Sequence, residues 1–213
     1  MGTGSAVIHA NGGLKHQVRV AKALQKGTGW DISCYPDTQA DLHVVIGPWF
    51  ALDQWRDANT LYLDRAYWGD PNCVSVHWLK GGEKVRTRNR AFREHPPLKP
   101  MKTGDRRVYL CDYGGKPEGL YHSVRWHPAQ RKPKTTLQQD LDAHDIAIGC
   151  RTTALVDAAI QGLGVETSDP HSPVYGLVDR EQWIRDLAWH NWHTDELASG
   201  AFLDGIGDNS GSY

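Results

Sequence analysis

The chain has 213 residues, of which 39% are hydrophobic and nine are tryptophan, and its formal net charge is −1. This length fits one large domain or two domains of about 100 residues each, and the apolar content predicts a buried core rather than a disordered chain. No apolar run approaches the roughly 18 residues that a membrane-spanning helix needs, and the chain does not open with a signal-peptide pattern. We therefore expect a soluble, cytoplasmic protein without a membrane partner.

The small net charge hides an uneven distribution along the chain. Residues 80–134 contain fifteen Lys/Arg against five Asp/Glu, whereas the remainder contains nine against twenty. A basic middle with acidic flanks predicts a surface that faces a polyanion, and DNA is the partner that we consider for this segment. A solvated linker and loop whose charge offsets the flanks is the alternative interpretation.

The first half of the chain alternates between strands and helices. A short apolar strand at 6–10 precedes the turn Asn11-Gly12-Gly13 and a helical pattern over 14–24, which Gly27 and Gly29 are expected to end. The later elements predicted in this half are strands at 31–34, 42–46 and 61–63, a helix through Trp49 and Trp55, and a hairpin of 74–78 with 84–86. This alternation indicates a parallel sheet, so residues 1–95 are predicted to form one Rossmann-like domain.

The second half repeats the alternation after a proline-rich stretch. Residues 96–106 are predicted to be a linker, residues 107–203 a second Rossmann-like α/β domain, and residues 204–213 a flexible tail. The predicted elements are strands at 108–111, 123–126, 146–148 and 165–167, an alanine-rich helix after Thr153, a helix at 180–190 and a short helix at 195–199 capped by Thr194.

Polar residues follow three strands of the second domain. In open α/β sheets, ligands bind beyond the carboxyl ends of the strands, so these residues are expected to lie along one edge. Gly114 and Gly115 would let the backbone approach a phosphate, Arg125 and Arg151 would supply positive charge, and His127 can protonate a leaving phosphate oxygen. Their convergence predicts a phosphate site.

The corner Cys150-Arg151-Thr152-Thr153 is the centre of this predicted site. Thr152 and Thr153 begin the alanine-rich helix, where their hydroxyls cap free N–H groups, and these groups together with the helix dipole form an anion site. Asp157 lies one turn further along and is included among the donor-site residues. Capping without a ligand is the alternative for both threonines, and a backbone-bonded histidine at a strand end is the alternative for His127.

Three candidates come from the first domain. Asp64 ends a strand and is the candidate general base for an acceptor hydroxyl, although strand-end aspartates more often form turns. Asn11 and Gly12 follow the first strand and are candidates for shaping the acceptor side, although a tight turn without a ligand is the simpler explanation.

The sequence predicts no metal site and no disulfide framework. The four cysteines lie far apart and form no C-x-x-C pair, so we expect reduced structural thiols. His190, His193 and Asp195 have the spacing of metal ligands, but Trp189 and Trp192 alternate with them, which favours a packing helix.

A series of motifs in the second half resembles the donor-binding half of GT-B glycosyltransferases. The motifs are R-x-H-P at 125–128, the acidic helix LQQDLDAHD, a strand, the Thr-Thr corner and the run DAAIQGLGVETSDPHSP. They are also similar to the sialic-acid and Kdo transferases of capsule synthesis and to small phage and bacterial glycosyltransferase-like proteins. The resemblance covers residues 108–202.

This resemblance implies a phage-encoded, metal-independent glycosyltransferase with two Rossmann-like domains facing each other across a cleft. A sugar would move from a nucleotide-sugar co-substrate, with no other cofactor, to a hydroxyl of a modified DNA base or a glycan. His127 would contact the leaving phosphate, and Thr152 and Thr153 would cradle it. The acidic motif that capsule enzymes carry in their first domain has no clear match. A catalytically degenerate protein that binds a nucleotide or DNA is therefore the alternative, and an epimerase or phosphorylase of the same fold is a third.

Overall fold

The computed structural model describes residues 5–35, 39–47, 59–68, 72–78, 95–112, 117, 119–170, 172–188 and 190–207. The chain divides into two compact units, each with its own sheet. The first unit comprises the described residues of Met1–Arg93 and Ala188–Tyr213, and the second comprises those of Glu94–Leu187.

The described residues contain ten strands and six helices. The strands are β1 (Ala6–His9), β2 (Asp31–Ser33), β3 (Leu42–Ile46), β4 (Thr60–Arg65), β5 (Cys73–Trp78), β6 (Arg107–Leu110), β7 (Ser123–Arg125), β8 (Ile146–Gly149), β9 (Gly164–Glu166) and β10 (Asn191–His193). The helices are α1 (Lys15–Thr28), α2 (Leu137–Asp142), α3 (Ala154–Ile160), α4 (Arg180–Ala188), α5 (Thr194–Ser199) and α6 (Ala201–Gly207). Within this part of the chain, no helix combines the length and the apolar character that crossing a bilayer requires.

The first unit is built on a six-stranded sheet with the order β10-β5-β4-β3-β1-β2. The strands β1 to β4 run parallel, whereas β5 is antiparallel to β4, and β10 is antiparallel to β5. Residues 191–193, which were predicted to lie in the second domain, pair with β5 and therefore belong to the first sheet. The predicted helix through Trp49 and Trp55 and the predicted strand at 84–86 lie outside the described residues.

The apolar core of the first unit lies on one face of this sheet. Alternate strand residues such as Ile8 and Val44 supply it from the sheet, and Leu24, Leu197 and Phe202 supply it from α1, α5 and α6. Helix α1 is longer than predicted, because it continues past Gly27 and ends at Gly29, which has the left-handed φ of 75° that suits glycine.

The opposite face of the same sheet carries polar side chains. His9 and His43 are buried there and their rings stack, with Nε2 of His9 lying 2.9 Å from Nδ1 of His43. Burial, and then the neighbouring His43, lowers the pKa of His9 to about 4, and burial also lowers the pKa of His43. Strand alternation places Tyr62 and Asp64 of β4 on this polar face as well.

The second unit contains a four-stranded sheet with the order β7-β6-β8-β9, in which every neighbouring pair is parallel. The predicted α/β character with a parallel sheet is therefore confirmed for this unit, and it is consistent with a Rossmann-like domain. Its core includes Val108 and Leu110 from β6, and Leu155 and Val156 from α3. Gly162, two residues beyond the end of α3, has a left-handed φ of 86°.

The stretch that the sequence assigned to a linker is bound along the second unit. The N–H groups of Lys99 and Lys102 donate to the carbonyls of Ile160, the last residue of α3, and of Gly162, two residues beyond it, at 2.9 and 2.8 Å. The ammonium group of Lys102 donates to three carbonyls at the end of α2, including that of Leu141 at 2.7 Å. These bonds satisfy carbonyls that a helix terminus would otherwise leave unpaired.

Replacement of Gly27 by alanine tests the close packing of α1 on α5. Alanine favours a helix interior over glycine by about 1 kcal/mol. However, a Cβ at Gly27 would overlap the carbonyl oxygen of Leu197, which is backbone and cannot rotate away. We expect the overlap to prevail and the free energy of unfolding to fall by about 1–3 kcal/mol, as measured by urea denaturation. Gly12→Ala, where a Cβ meets no atom within 4 Å, is the control. An unchanged or increased stability of Gly27→Ala would show that the two helices do not pack this closely.

Candidate functional site

In the second unit, the carboxyl ends of four parallel strands lie along one edge of the sheet. From β6 the chain winds to one side to form β7, and it then crosses to the other side of β6 to form β8 and β9. Open α/β sheets bind ligands where the winding direction changes, which here is the gap between the ends of β6 and β8. Asp112 follows β6 at this point, and the corner 150–153 follows β8.

Hydrogen bonds from both neighbouring strand ends hold the corner in place. Asp112 Oδ2 accepts the backbone N–H of Arg151 at 2.8 Å, which links the end of β6 to the end of β8. Thr167, which follows β9, donates its hydroxyl to the carbonyl of Cys150 at 3.0 Å. The guanidinium of Arg151 donates to Asp169, so its charge is paired although 64% of the side chain is exposed.

Thr152 and Thr153 lie at the start of α3, but only one of them caps with its hydroxyl. Thr152 Oγ1 accepts the N–H of Ala154 at 3.3 Å. Thr153 is the residue that precedes the helix, and its side chain makes no capping hydrogen bond. The expectation that both hydroxyls cap the helix is therefore wrong for Thr153, whose hydroxyl remains available on an exposed residue.

Arg125 and His127 belong to the end of β7. Arg125 donates to Asp140 at 2.6 Å and to the carbonyl of Thr135 at 2.9 Å, so its charge is already neutralised. His127 Nδ1 accepts the N–H of Ala129 at 3.2 Å, and in the neutral ring this leaves Nε2 to carry the proton.

The histidine and the threonine corner share one edge but do not follow adjacent strands. Strand β6 lies between β7 and β8, and neighbouring strands are about 4.8 Å apart. His127 therefore follows a strand about 10 Å from the one that leads into Thr152 and Thr153. This span suits an extended ligand rather than a single phosphate group. Gly114 and Gly115, which the sequence places next to β6, lie outside the described residues.

Asp157 is half-buried in α3. Burial raises the pKa of its carboxyl to about 6, and no described residue forms a hydrogen bond or an ion pair with that carboxyl. A carboxyl that resists ionisation repels a phosphate less than an ordinary carboxylate does, but it offers no positive charge to bind one.

The acceptor-side candidates lie at the carboxyl edge of the first sheet. Asn11 Oδ1 accepts the N–H of Gly13 at 2.9 Å, and the N–H of Asn11 donates to the side chain of Gln17 at 2.8 Å. Gln17 is buried in α1, so these bonds anchor the turn after β1. Gly12 is exposed within this turn.

Asp64 lies near the end of β4, at the same edge of the first sheet. Its Oδ1 accepts the N–H of Arg65 at 2.7 Å. Burial raises the pKa of this carboxyl, against the opposing influence of Arg65 and His16. Burial and then Asp64 raise the pKa of the nearby Tyr67 hydroxyl to about 12. A carboxylate with a raised pKa is a stronger base near neutral pH, as a general base must be.

Three carboxylates organise the second edge by holding its arginines, a role that was not predicted from the sequence, although Asp112 was among the polar residues expected at a strand end. Asp112 and Asp169 hold the backbone and the side chain of Arg151, and Asp140 holds Arg125. The signal in the sequence was an acidic residue directly after β6, beside a corner that also carries an arginine. Among the described residues, Asp112 Oδ1 is buried and has no hydrogen-bond partner.

Comparisons of the chain with protein-family models, with curated proteins and with solved structures gave no match. A function for this fold must therefore be argued from the chemistry of its site.

Replacement of Asp157 by asparagine tests whether this carboxyl lowers stability. Its pKa is raised from 3.8 to about 6 in the native state. The native state therefore holds more protons than the unfolded state between about pH 4 and pH 6, and stability falls as the pH rises through this window. The amide removes this loss, so we expect the free energy of unfolding at pH 7 to rise by about 1–2 kcal/mol. Urea denaturation at several pH values measures the change.

The difference between variant and wild type isolates this effect. The lowered pKa values of His9 and His43 act in the opposite direction, because they make stability rise with pH up to about pH 6.5, but they are common to both proteins. Asp105→Asn, at an exposed position of the second unit, is the matched control. If both variants follow the wild-type profile, the Asp157 carboxyl carries no such cost.

Proposed function

We propose that the chain is a GT-B-like glycosyltransferase that transfers a sugar from a nucleotide-sugar donor to a hydroxyl acceptor. In this proposal the acceptor is a modified DNA base or a glycan, the reaction needs no metal, and the nucleotide sugar is a co-substrate rather than a resident cofactor. The activity is assigned to the cytoplasm, and to that of the host if the protein is phage-encoded.

The observation that carries the proposal is the pair of open polar groups between the ends of β6 and β8. Asp112 Oδ1 is buried and has no partner among the described residues, and the Thr153 hydroxyl makes no capping bond. A buried acceptor without a partner is costly, and a ligand hydroxyl would satisfy it. A ligand with both hydroxyls and phosphate oxygens, such as a nucleotide sugar, matches this combination of groups.

In the proposed donor site, the threonine corner and His127 act on separate parts of the donor's phosphate chain, because the strands that precede them are about 10 Å apart. The Thr153 hydroxyl donates to a phosphate oxygen, and Asp112 Oδ1 accepts from a sugar hydroxyl. His127 donates from Nε2 to the phosphate oxygen that leaves the anomeric carbon. Arg125 and Arg151 contribute indirectly, since their ion pairs fix the loop that bears His127 and the corner that bears Thr153.

The transfer step is a displacement at the anomeric carbon. The acceptor oxygen forms a bond to that carbon while the bond between the carbon and the phosphate oxygen breaks. Asp64 takes the proton of the acceptor hydroxyl, and the leaving phosphate accepts a hydrogen bond or a proton from His127. The raised pKa of Asp64 supports its assignment as the base.

A protein that binds a nucleotide or DNA without turnover is the second candidate. The observation that favours it is the pairing of both arginines with carboxylates, Arg125 with Asp140 and Arg151 with Asp169. A departing phosphate gains little from guanidinium groups whose charge is already compensated.

The double variant His127→Ala/Thr153→Val tests the donor site. It removes two donors to the proposed phosphate, so we expect the dissociation constant for the stabilising nucleotide to rise at least about thirtyfold. The measurement is a thermal-shift screen of UDP, GDP and CMP sugars, followed by calorimetric titration of the nucleotide that stabilises the wild type.

His122→Ala/Thr103→Val is the matched control, because these residues precede β7 and β6 in the same unit. The control is expected to keep wild-type affinity. If the double variant at 127 and 153 keeps it too, the nucleotide binds elsewhere.

The variant Asp64→Asn separates the enzyme from the binder. Loss of a general base lowers turnover by about 10²–10⁴-fold, while donor affinity is expected to stay unchanged because Asp64 does not contact the donor in this proposal. Release of nucleotide from the donor sugar measures turnover, with Asp31→Asn on the exposed start of β2 as the control. Saturable donor binding by the wild type, with no turnover on either hydroxymethylated DNA or glycans, would favour the binder instead.

A further inference from the structure

The loop between β7 and α2 is shaped without the help of its own cations. Arg125 closes its base by donating to the Thr135 carbonyl and to Asp140, and the Thr135 hydroxyl donates to the same carboxylate at 2.6 Å. The carbonyl of His127 accepts the N–H groups of Gln130 and Arg131, which turns the chain inside the loop. Residues 126–135 are therefore held at both ends.

The charge of this loop is positive and uncompensated. Residues 126–139 contain Arg131, Lys132 and Lys134 and no acidic residue. These three side chains belong to exposed residues and form no ion pair within the described part of the chain. The nearest acidic residue along the chain, Asp140, is already bound to Arg125.

Two other cations of the basic segment are engaged within the second unit. Lys102 binds carbonyls at the end of α2, and Arg107 pairs with Glu166 at 2.9 Å. In the loop, by contrast, the three cations line a pocket of about 210 Å³ together with Trp126 and with Arg125 and Asp140, which pair with each other.

The size and lining of the pocket indicate the ligand. Ligand pockets for whole small molecules are about 300–1,000 Å³, so this pocket suits one phosphate and part of a base rather than an entire nucleotide sugar. Three cations within four consecutive positions match a series of phosphates better than a single one. Trp126 adds an aromatic face on which an unstacked base can lie.

We propose that the β7–α2 loop binds single-stranded nucleic acid, with Arg131, Lys132 and Lys134 on successive phosphates and Trp126 beneath a base. This inference deepens the proposed function, because it identifies nucleic acid as the acceptor. Only that identification rests on the proposed function. The binding itself needs neither a nucleotide sugar nor turnover.

The test is the affinity of the full chain for a fluorescein-labelled oligothymidylate of about 15 nucleotides, measured by fluorescence anisotropy at several salt concentrations without nucleotide sugar. Arg131→Ala/Lys132→Ala/Lys134→Ala is expected to weaken binding about tenfold or more at low salt. The slope of log affinity against log salt is expected to fall by about 2, since each phosphate contact on a single strand contributes about 0.7.

The matched control is Lys15→Ala/Lys22→Ala/Lys26→Ala, which removes the same charge from exposed positions of α1. It is expected to bind like the wild type. Equal weakening of both triple variants would reduce the effect to net charge and overturn the proposal, and so would an absence of binding by the wild type.

An abasic oligonucleotide of the same length tests the role of Trp126. We expect it to bind about fivefold or more weakly than oligothymidylate, since stacking on an aromatic side chain contributes about 1–3 kcal/mol per base. Equal affinity for the two strands would overturn this role and reduce the site to phosphate contacts. In the proposed function, nucleotide sugars bind at the ends of β6 and β8. Normal donor binding by the triple variant of Arg131, Lys132 and Lys134 would therefore show that its effect on oligothymidylate tests the nucleic-acid proposal alone.

Discussion

The second unit depends on one hydrogen bond, from the backbone N–H of Arg151 to Asp112. It joins the ends of β6 and β8 where the winding of the chain changes direction, and it fixes the peptide that leads into the threonine corner. Because the amide is held by Asp112, the guanidinium of the same residue can reach Asp169 beyond β9. Three strand ends are thus joined through one arginine. The other oxygen of Asp112 is buried and has no hydrogen-bond partner in the described part of the chain, and it is there that we propose a ligand hydroxyl binds.

The hydrogen-bond and ion-pair partners of the described cations explain how a chain of net charge −1 can present a basic surface. Lys102 and Arg107 are used within the second unit, one on helix-end carbonyls and the other on a carboxylate. Arg125 is used to close a loop, and that loop carries Arg131, Lys132 and Lys134, which form no ion pair within the described part of the chain. A count of charges along the sequence locates the basic segment. Only the ion pairs and hydrogen bonds in the structure show which of its Lys and Arg side chains can bind a polyanion.

Periodicity and glycine positions were sufficient to predict most strands, because alternating apolar residues and turn signals are local properties of the chain. The end of α1 was predicted too early, since Gly27 is tolerated in the helix for its contact with Leu197, a residue 170 positions away. The pairing of β10 with β5 is likewise long-range.

The predicted cap at Thr194 is wrong, because the His193 side chain accepts the N–H of Asp195 instead. His193 is one of the three residues with metal-ligand spacing, and this capping bond engages its side chain. At the site, residue types and strand ends could be predicted, but the partners of Arg125 and Arg151 could not.

Two aspartates have raised pKa values but lie in different electrostatic environments. Asp157 has no cation to oppose its burial, so its carboxyl is pushed toward the neutral form and a nearby phosphate would push it further. Asp64 is also desolvated, but Arg65 and His16 favour its ionised form. Desolvation makes the Asp64 carboxylate more basic, and the nearby positive charge opposes this shift. Asp157 experiences only the desolvation. This contrast is the reason why we propose Asp64, and not Asp157, as the general base.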